Sequence, residues 1–400
     1  MVTVAAPPTP DDVMTLLRAV IDPELGADIV ELGMVTGAQV FPDGDVRVGI
    51  KLTIGGCPLR AQIKKDVETR VATHPGVRSV HIEWGEMTSD ERSAVMSKAR
   101  WNAAQNAAAT QVPVTTRVLA IASGKGGVGK SSVTVNLAAA LAARGHTVGV
   151  LDADIWGFSV PRMLGVGDRL EAERVEGSDK PRIMPSELAV GRGRLKVVST
   201  GLLVEDEGTA LMWRGLMLTK AVEQFLHDVH WGELDYLLID MPPGTGDVQM
   251  GLARMLPRTD LLIVTTPATA AQKVAIRAAD MARRSFLRVA GVIENMSAFV
   301  CEHGTSYPLF GEGGGQALAD EVGVELLGRI PLEHSVAAGG DTGLPVSVHG
   351  QGPAAEAFRA LAERIATDTA PPAAMAGCSA RMLEAVAVAL AVKDRQGNES

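Results

Sequence analysis

The order of apolar and polar positions divides the chain into blocks of different period. Near the N-terminus, Thr9-Pro10-Asp11-Asp12 has the form of a helix start, with an N-cap, a proline at the first helical position and acids in the first turn. Val13, Leu16, Leu17 and Val20 follow at helical spacing. VTGAQVF and VRVGIKLTI then flank PDGD, and Val46, Val48, Ile50, Leu52 and Ile54 alternate with the period of a strand, which predicts a hairpin. Pro58 opens a predicted helix in which Leu59, Ile63, Val67 and Val71 recur every fourth residue, and VRSVHIEW reads as a closing strand. The order α-β-β-α-β describes a small α+β domain over residues 1–86.

Residues 87–116, with ERSAVMSKARWNAAQNAAATQVPVTT, are polar and alanine-rich without a sustained apolar stripe, and read as a linker that is partly helical. From Arg117 the pattern changes. RVLAIAS, TVGVLDAD, LKVVST, DYLLIDM, DLLIVTTP, RVAGVIENM and ELLGRIPL are strand-like runs separated by helical stretches. This alternation predicts an α/β domain over residues 117–370, a doubly wound, mostly parallel sheet covered on both faces. Ligands in such a sheet sit at the carboxyl ends of its strands. The charged, glycine-rich stretch 166–194 reads as an irregular insertion, and the PPAA at 371–374 as a break before a C-terminal tail, 371–400. In that tail Leu383, Val386 and Leu390 lie on one helical face, of the kind that docks on its own domain.

Composition narrows the partners. A formal charge of -9 without any basic run argues against nucleic acid and against an electrostatic hold on anionic lipid. No apolar run approaches the roughly 20 residues of a spanning helix, and the N-terminal residues have neither the positive nor the apolar region of an export signal. The cysteines are three, Cys57, Cys301 and Cys378, an odd number spaced far apart, which fits a reducing cytosol rather than a disulfide framework. A cytoplasmic protein is expected, with small molecules or proteins as partners and no membrane association.

Chemistry is concentrated in ASGKGGVGKSS. Gly124, four residues, then Gly129-Lys130-Ser131 form a nucleoside-triphosphate loop between an apolar strand and a helix. Gly124, Gly126, Gly127, Val128 and Gly129 would turn backbone N–H groups toward an anion, with Ser132 continuing the helix N-terminus that adds its dipole. Lys130 is expected on the β- and γ-phosphates and Ser131 on Mg2+. Asp240 ends the strand DYLLID, where a carboxylate can hold the metal through water, and the stiff turn from Met241 to Asp247 follows it as a sensor of the γ-phosphate. Asp152 and Asp154 close another strand and offer a second carboxylate to orient or deprotonate the attacking water. Strand-ending aspartates also cap turns. The second lysine of the loop, Lys125, has no role in simple phosphate binding.

GKGGVGKSS, LDADIWGFSVP, MWRG and DMPPGTGD, followed by VTTP and GVIENMS in that order, resemble the Mrp family of P-loop ATPases, carriers of iron–sulfur clusters with a deviant Walker A motif. The similarity covers nearly all of 117–368. DPELGADIVELGMV and LTIGGCP resemble the small iron–sulfur assembly domain often fused to these ATPases. The resemblance implies an ATP-hydrolysing homodimer that binds clusters and transfers them to apoprotein clients. It further implies that Lys125 is the signature lysine reaching the nucleotide of the partner subunit, that Asp154 is the switch I aspartate, and that Asp240 with Pro242-Pro243-Gly244 is switch II. Asn295 fits the family's adenine-contacting asparagine, the other reading being a buried structural amide. In the assembly domain, Thr53 and Cys57 fall close to Asp22 and Glu24, a candidate contact site.

The family's cluster site is a CxxC pair after the NMS segment. Here Cys301-Glu302-His303-Gly304 keeps the first cysteine and has glycine at the second, so a symmetric dimer offers two thiolates instead of four. His303 could complete a bridged cluster, Cys57 could supply the missing thiolate, or the site has been lost. Two rivals to the carrier therefore stand: a positioning ATPase that attaches through its tail, which lacks the basic polar face such helices use, and a scaffold or regulatory ATPase that holds no cluster.

Overall fold

The computed structural model describes residues 6–22, 27–53, 60–105, 109–155, 157–175, 180–203, 216–244, 246–285, 287–301, 303 and 305–372. Glu24, Cys57, the MWRG segment, Glu302, Gly304, Cys378 and the tail helix lie outside them. The chain forms two compact units, Met1–Asn106 and Ala107–Ser400.

In the first unit, helix α1 (Pro10–Leu17) starts at the predicted box: Thr9 Oγ1 accepts from the Asp12 N–H, and Asp12 Oδ2 accepts from the Thr9 N–H at 2.9 Å. Strands β1 (Val35–Val40) and β2 (Asp45–Leu52) form the hairpin, helix α2 (Arg60–Val71) follows, and β3 (Ser79–Glu86) pairs parallel to β2. Val46, Val48, Ile50 and Leu52 point into a core shared with Val13, Leu17, Ile63, Val67 and Val71, all buried. Within the segment read as a partly helical linker lies helix α3 (Ser89–Gln105). Val95 and Ala99 of this helix are buried, and polar ties add to them: Lys51 Nζ meets Glu91 Oε1 at 2.5 Å, and Asn102 Nδ2 donates to Glu31 Oε1 at 2.9 Å.

The second unit runs β4 (Arg117–Ser123), α4 (Lys130–Ala143), β5 (Thr147–Asp152), α5 (Val160–Leu164), β6 (Ala172–Glu173), β7 (Arg182–Ile183), β8 (Ser186–Val190) and β9 (Gly193–Ser199). It continues through α6 (Leu216–Asp228), β10 (Tyr236–Asp240), α7 (Gly246–Met255), β11 (Asp260–Thr265), α8 (Thr269–Arg284), β12 (Arg288–Val300) and β13 (Ser306–Tyr307). It closes with α9 (Gly314–Val322), β14 (Leu326–Leu332), α10 (His334–Thr342), α11 (Val346–His349) and α12 (Pro353–Arg364).

Its main sheet has the order β13-β12-β11-β4-β10-β5-β9-β8, with β14 also paired to β12. Among the described residues, only its β8–β9 and β12–β13 pairs are antiparallel. The doubly wound, mostly parallel α/β fold expected from the alternating runs is therefore present. Successive residues of each strand feed opposite cores. Leu119, Ile121, Leu238 and Val264 pack with Val133, Leu137 and Leu141 of α4 and Phe358 of α12, while Val118, Ala120, Leu237 and Ile263 pack with Phe225, Leu252 and Ala279 on the other face. Strands buried on both sides must be apolar throughout, which is why they read as continuous runs. The region 166–194 adds the two-stranded β6–β7 sheet and β8 on the sheet edge.

Candidate functional site

The carboxyl ends of β4, β5 and β10 meet the start of α4, and a pocket of about 240 Å³ lies there. Its wall is Ser123, residues 125–132, Asp154, Ser159, Met163 and Pro243. The loop can turn this tightly because Gly127 and Gly129 adopt φ of 80° and 78°, a left-handed conformation that costs glycine little. Gly124 is needed for another reason: a Cβ there would lie 2.3 Å from the Ala275 nitrogen of α8.

Beneath the loop the charges converge. Lys130 Nζ stands 2.7 Å from Asp240 Oδ1 and 3.9 Å from Asp154 Oδ2. Ser131 Oγ donates to Asp240 Oδ2 at 2.5 Å, and Thr134 Oγ1 donates to Asp240 Oδ1 at 2.9 Å. Asp240 is fully buried at the end of β10, so its charge is sustained by one ammonium and two hydroxyls. Thr134 was not visible as a functional residue in the sequence. It lies four residues after Lys130 on α4, and that helical spacing is the signal that places both on one face.

Asp152 and Asp154 take different roles. Asp152 is fully buried and accepts from the Asp154 and Ser159 N–H groups at 3.1 and 3.2 Å and from Ser199 Oγ at 3.2 Å. It fixes both ends of the loop between β5 and α5. Burial, and then the charge of Asp240, push its carboxyl up to about 7. Asp154 faces the pocket; burial raises its pKa, while Lys130 opposes the shift. The Asp240 turn reaches the loop through the Gly244 N–H, which donates to Ser123 O at 3.3 Å, and through Pro243 in the pocket wall. Lys125 is exposed on the rim and forms no ion pair among the described residues. Asn295, by contrast, is buried, and its Nδ2 donates to Val128 O at 2.9 Å from behind the loop.

A family profile described as NUBPL iron-transfer P-loop NTPase matches residues 114–366. The chain belongs to this family. A second profile, described as iron–sulfur cluster assembly protein, matches residues 10–84 of the small unit. Similar proteins named iron–sulfur cluster carrier protein come from Mycobacterium leprae, 45% identical over 341 residues and 84% of this chain and 86% of that one, and Deinococcus radiodurans, 44% identical over 361 residues and 89% and 94% of the two chains. Among solved structures, a nucleotide-binding protein in complex with ADP from Archaeoglobus fulgidus is 35% identical over 60% of this chain and 91% of that chain, with a TM-score of 0.49.

In this member of the iron-transfer NTPases, Cys301 sits at the tip of the β12–β13 hairpin. Its N–H donates to Thr305 O at 3.0 Å, just beyond the Val300–Ser306 pair. The His303 N–H, and then the Thr305 N–H and hydroxyl, hold its thiol below the ordinary thiol range. The His303 side chain is exposed. Phe299 and Tyr307 stack at a tilt on the hairpin with ring centroids 6.4 Å apart, 39% and 47% exposed. Among the described residues, no three His, Cys, Asp or Glu side chains gather to hold a metal ion, and no helix is long and apolar enough to cross a membrane.

Proposed function

We propose that this NTPase binds ATP with Mg2+, hydrolyses it as a homodimer, and carries iron–sulfur clusters to apoprotein clients in the cytoplasm. The convergence of Lys130, Ser131 and Asp240 beneath a glycine loop, with Asp154 facing the same pocket, is the observation that carries this reading. The hydroxyl of Ser131 and the carboxylate of Asp240 are adjacent hard oxygen donors at a helix N-terminus, a set that suits Mg2+. Ser131 directly and Asp240 through water would hold the ion, which when bound neutralises charge on the phosphate oxygens.

The chain's own groups do the rest. N–H groups of residues 126–132 bind the polyphosphate, Lys130 transfers its ammonium from Asp240 toward the β- and γ-phosphates, and Asp154 orients water for in-line attack. The exposed rim position of Lys125 supports a reach into the pocket of a second copy, where its charge would stabilise the transferring phosphoryl group. The switch turns after Asp152 and Asp240 would relax when the γ-phosphate leaves.

The single Cys301 favours a second reading, an ATP-dependent scaffold or positioning protein without a cluster. Anaerobic reconstitution of wild type and Cys301→Ser, followed by transfer to an apo-ferredoxin acceptor, separates the two. The carrier reading requires iron and visible absorbance in wild type, loss of both in the variant, and iron appearing in the acceptor. Equal iron in both proteins, or none in either, removes Cys301 as a ligand. ATP hydrolysis without any cluster uptake supports the scaffold.

A further inference from the structure

Strand β12 passes behind the phosphate loop, and two of its residues fix the loop from that side. The Asn295 amide donates to the Val128 carbonyl at 2.9 Å, and a Cβ on Gly129 would lie 2.3 Å from the same nitrogen. Glycine at 129 is thus required both by its φ of 78° and by the approach of Asn295. Met296 has φ 56°, the only positive value at a non-glycine residue among those described, and the β12–β14 register shifts between Asn295 and Phe299. A left-handed methionine is strained and persists where the surroundings over-determine it. Here the kink sits directly after the residue that grips the loop, and the Met296 methyl packs 3.3 Å from the Gly129 Cβ position.

The consequence follows from peptide geometry. In a trans peptide the carbonyl and the next N–H point in opposite directions. Holding the Val128 carbonyl on the β12 side therefore aims the Gly129 N–H to the opposite side, where Val128 and Gly129 line the pocket and Asn295 does not. A reversed peptide would present a carbonyl dipole to an anion. We propose that Asn295 is a positioning residue of the phosphate loop, acting on any polyphosphate through the Val128–Gly129 peptide. This rests on the pocket being the MgATP site.

The test compares a ligand with a base and one without. Binding of MgATP and of magnesium tripolyphosphate to full-length wild type and Asn295→Ala is measured by calorimetry, together with the melting profile of the unliganded proteins. Both affinities should fall together, by about tenfold, with their ratio preserved, and the unliganded melting profile should drop by the few degrees that a lost buried hydrogen bond costs. Asn295→Leu keeps the volume without the donor or a new charge and should give the same joint loss, which serves if the alanine variant fails to fold. Loss of ATP affinity alone would assign Asn295 to the base and overturn the proposal, as would two unchanged affinities. If wild type binds neither ligand, the nucleotide reading itself falls and this proposal with it.

Discussion

The ammonium of Lys130 lies 2.7 Å from Asp240 Oδ1, with the two side chains 6% and 0% exposed. The lysine proposed to bind phosphate and the carboxylate proposed to hold Mg2+ thus satisfy each other inside the protein. Cutting such a pair leaves one buried charge without a counter-charge, which costs more than the pair itself contributes. Lys130→Ala should lower the unfolding free energy by about 3 kcal/mol and abolish MgATP binding. Urea denaturation without nucleotide checks the first part. The double variant Lys130→Met, Asp240→Asn should recover part of that loss, since it removes both charges. A single variant as stable as wild type would mean that Asp240 is sustained by Ser131 and Thr134 alone.

Lys125 stands apart from this pair, exposed on the rim of the same loop. If it acts on the nucleotide of a second copy, its contact is made mainly as the phosphoryl group transfers. Lys125→Ala should then lower kcat by about a thousandfold while ATP affinity changes little. Mixing Lys125→Ala with Asp154→Ala protein should restore part of the activity, because a heterodimer has one site with neither defect. No recovery at any mixing ratio would rule out the shared site.

Much of this arrangement was legible in the sequence because it is local. The glycine loop, Lys130 and Ser131 are contiguous, and each strand-ending aspartate is announced by the apolar run before it. Three features were not. Thr134 sits in an apolar helix whose pattern describes packing, and its hydroxyl has meaning only once β10 brings Asp240 beside it. Asp152 and Asp154 are two residues apart on an equivalent background, and only the path of the following loop makes one a clamp and the other a pocket wall. The full length of helix α3 was not, because Val95 and Ala99, its buried apolar residues among those described, are too few for a sustained stripe, and polar ties such as Lys51 to Glu91 leave no periodic mark. Periodicity detects apolar faces and is blind to that kind of attachment.

Asp152 gives a pH signature. Its carboxyl is raised by burial and by the Asp240 charge from an ordinary 3.8 to about 7. The folded state therefore binds a proton that the unfolded chain releases. That contribution is fully present below about pH 3.8 and is lost as pH rises to about 7. Wild type, measured without nucleotide or Mg2+, should lose stability between pH 5 and pH 7 by up to about 1.4 kcal/mol per pH unit from this group. In Asp152→Asn that component of the slope should vanish, although the variant forfeits acceptors for Ser159 and Ser199. Parallel pH profiles for the two proteins would show that Asp152 is already ionised in the fold.

The final prediction concerns the hairpin that keeps one cysteine. The backbone N–H of His303, joined by Thr305, lowers the Cys301 thiol from its ordinary 9.0. The thiolate is the form that both alkylates and binds metal, so the hairpin raises the share of the ligand state at a given pH. The rate of Cys301 alkylation by iodoacetamide, followed by peptide mass spectrometry, should reach half its maximum at a lower pH in folded protein than in the same protein in urea. Thr305→Val should move the folded midpoint upward, since it removes the hydroxyl donor and leaves the backbone N–H of His303 in place. Coincident folded and urea midpoints would show that the turn does nothing to the thiol. A shifted midpoint that persists unchanged in Thr305→Val would assign the effect to the backbone N–H groups of His303 and Thr305, and in either case each copy of the chain supplies one thiolate from this hairpin, so any cluster held there needs ligands from elsewhere.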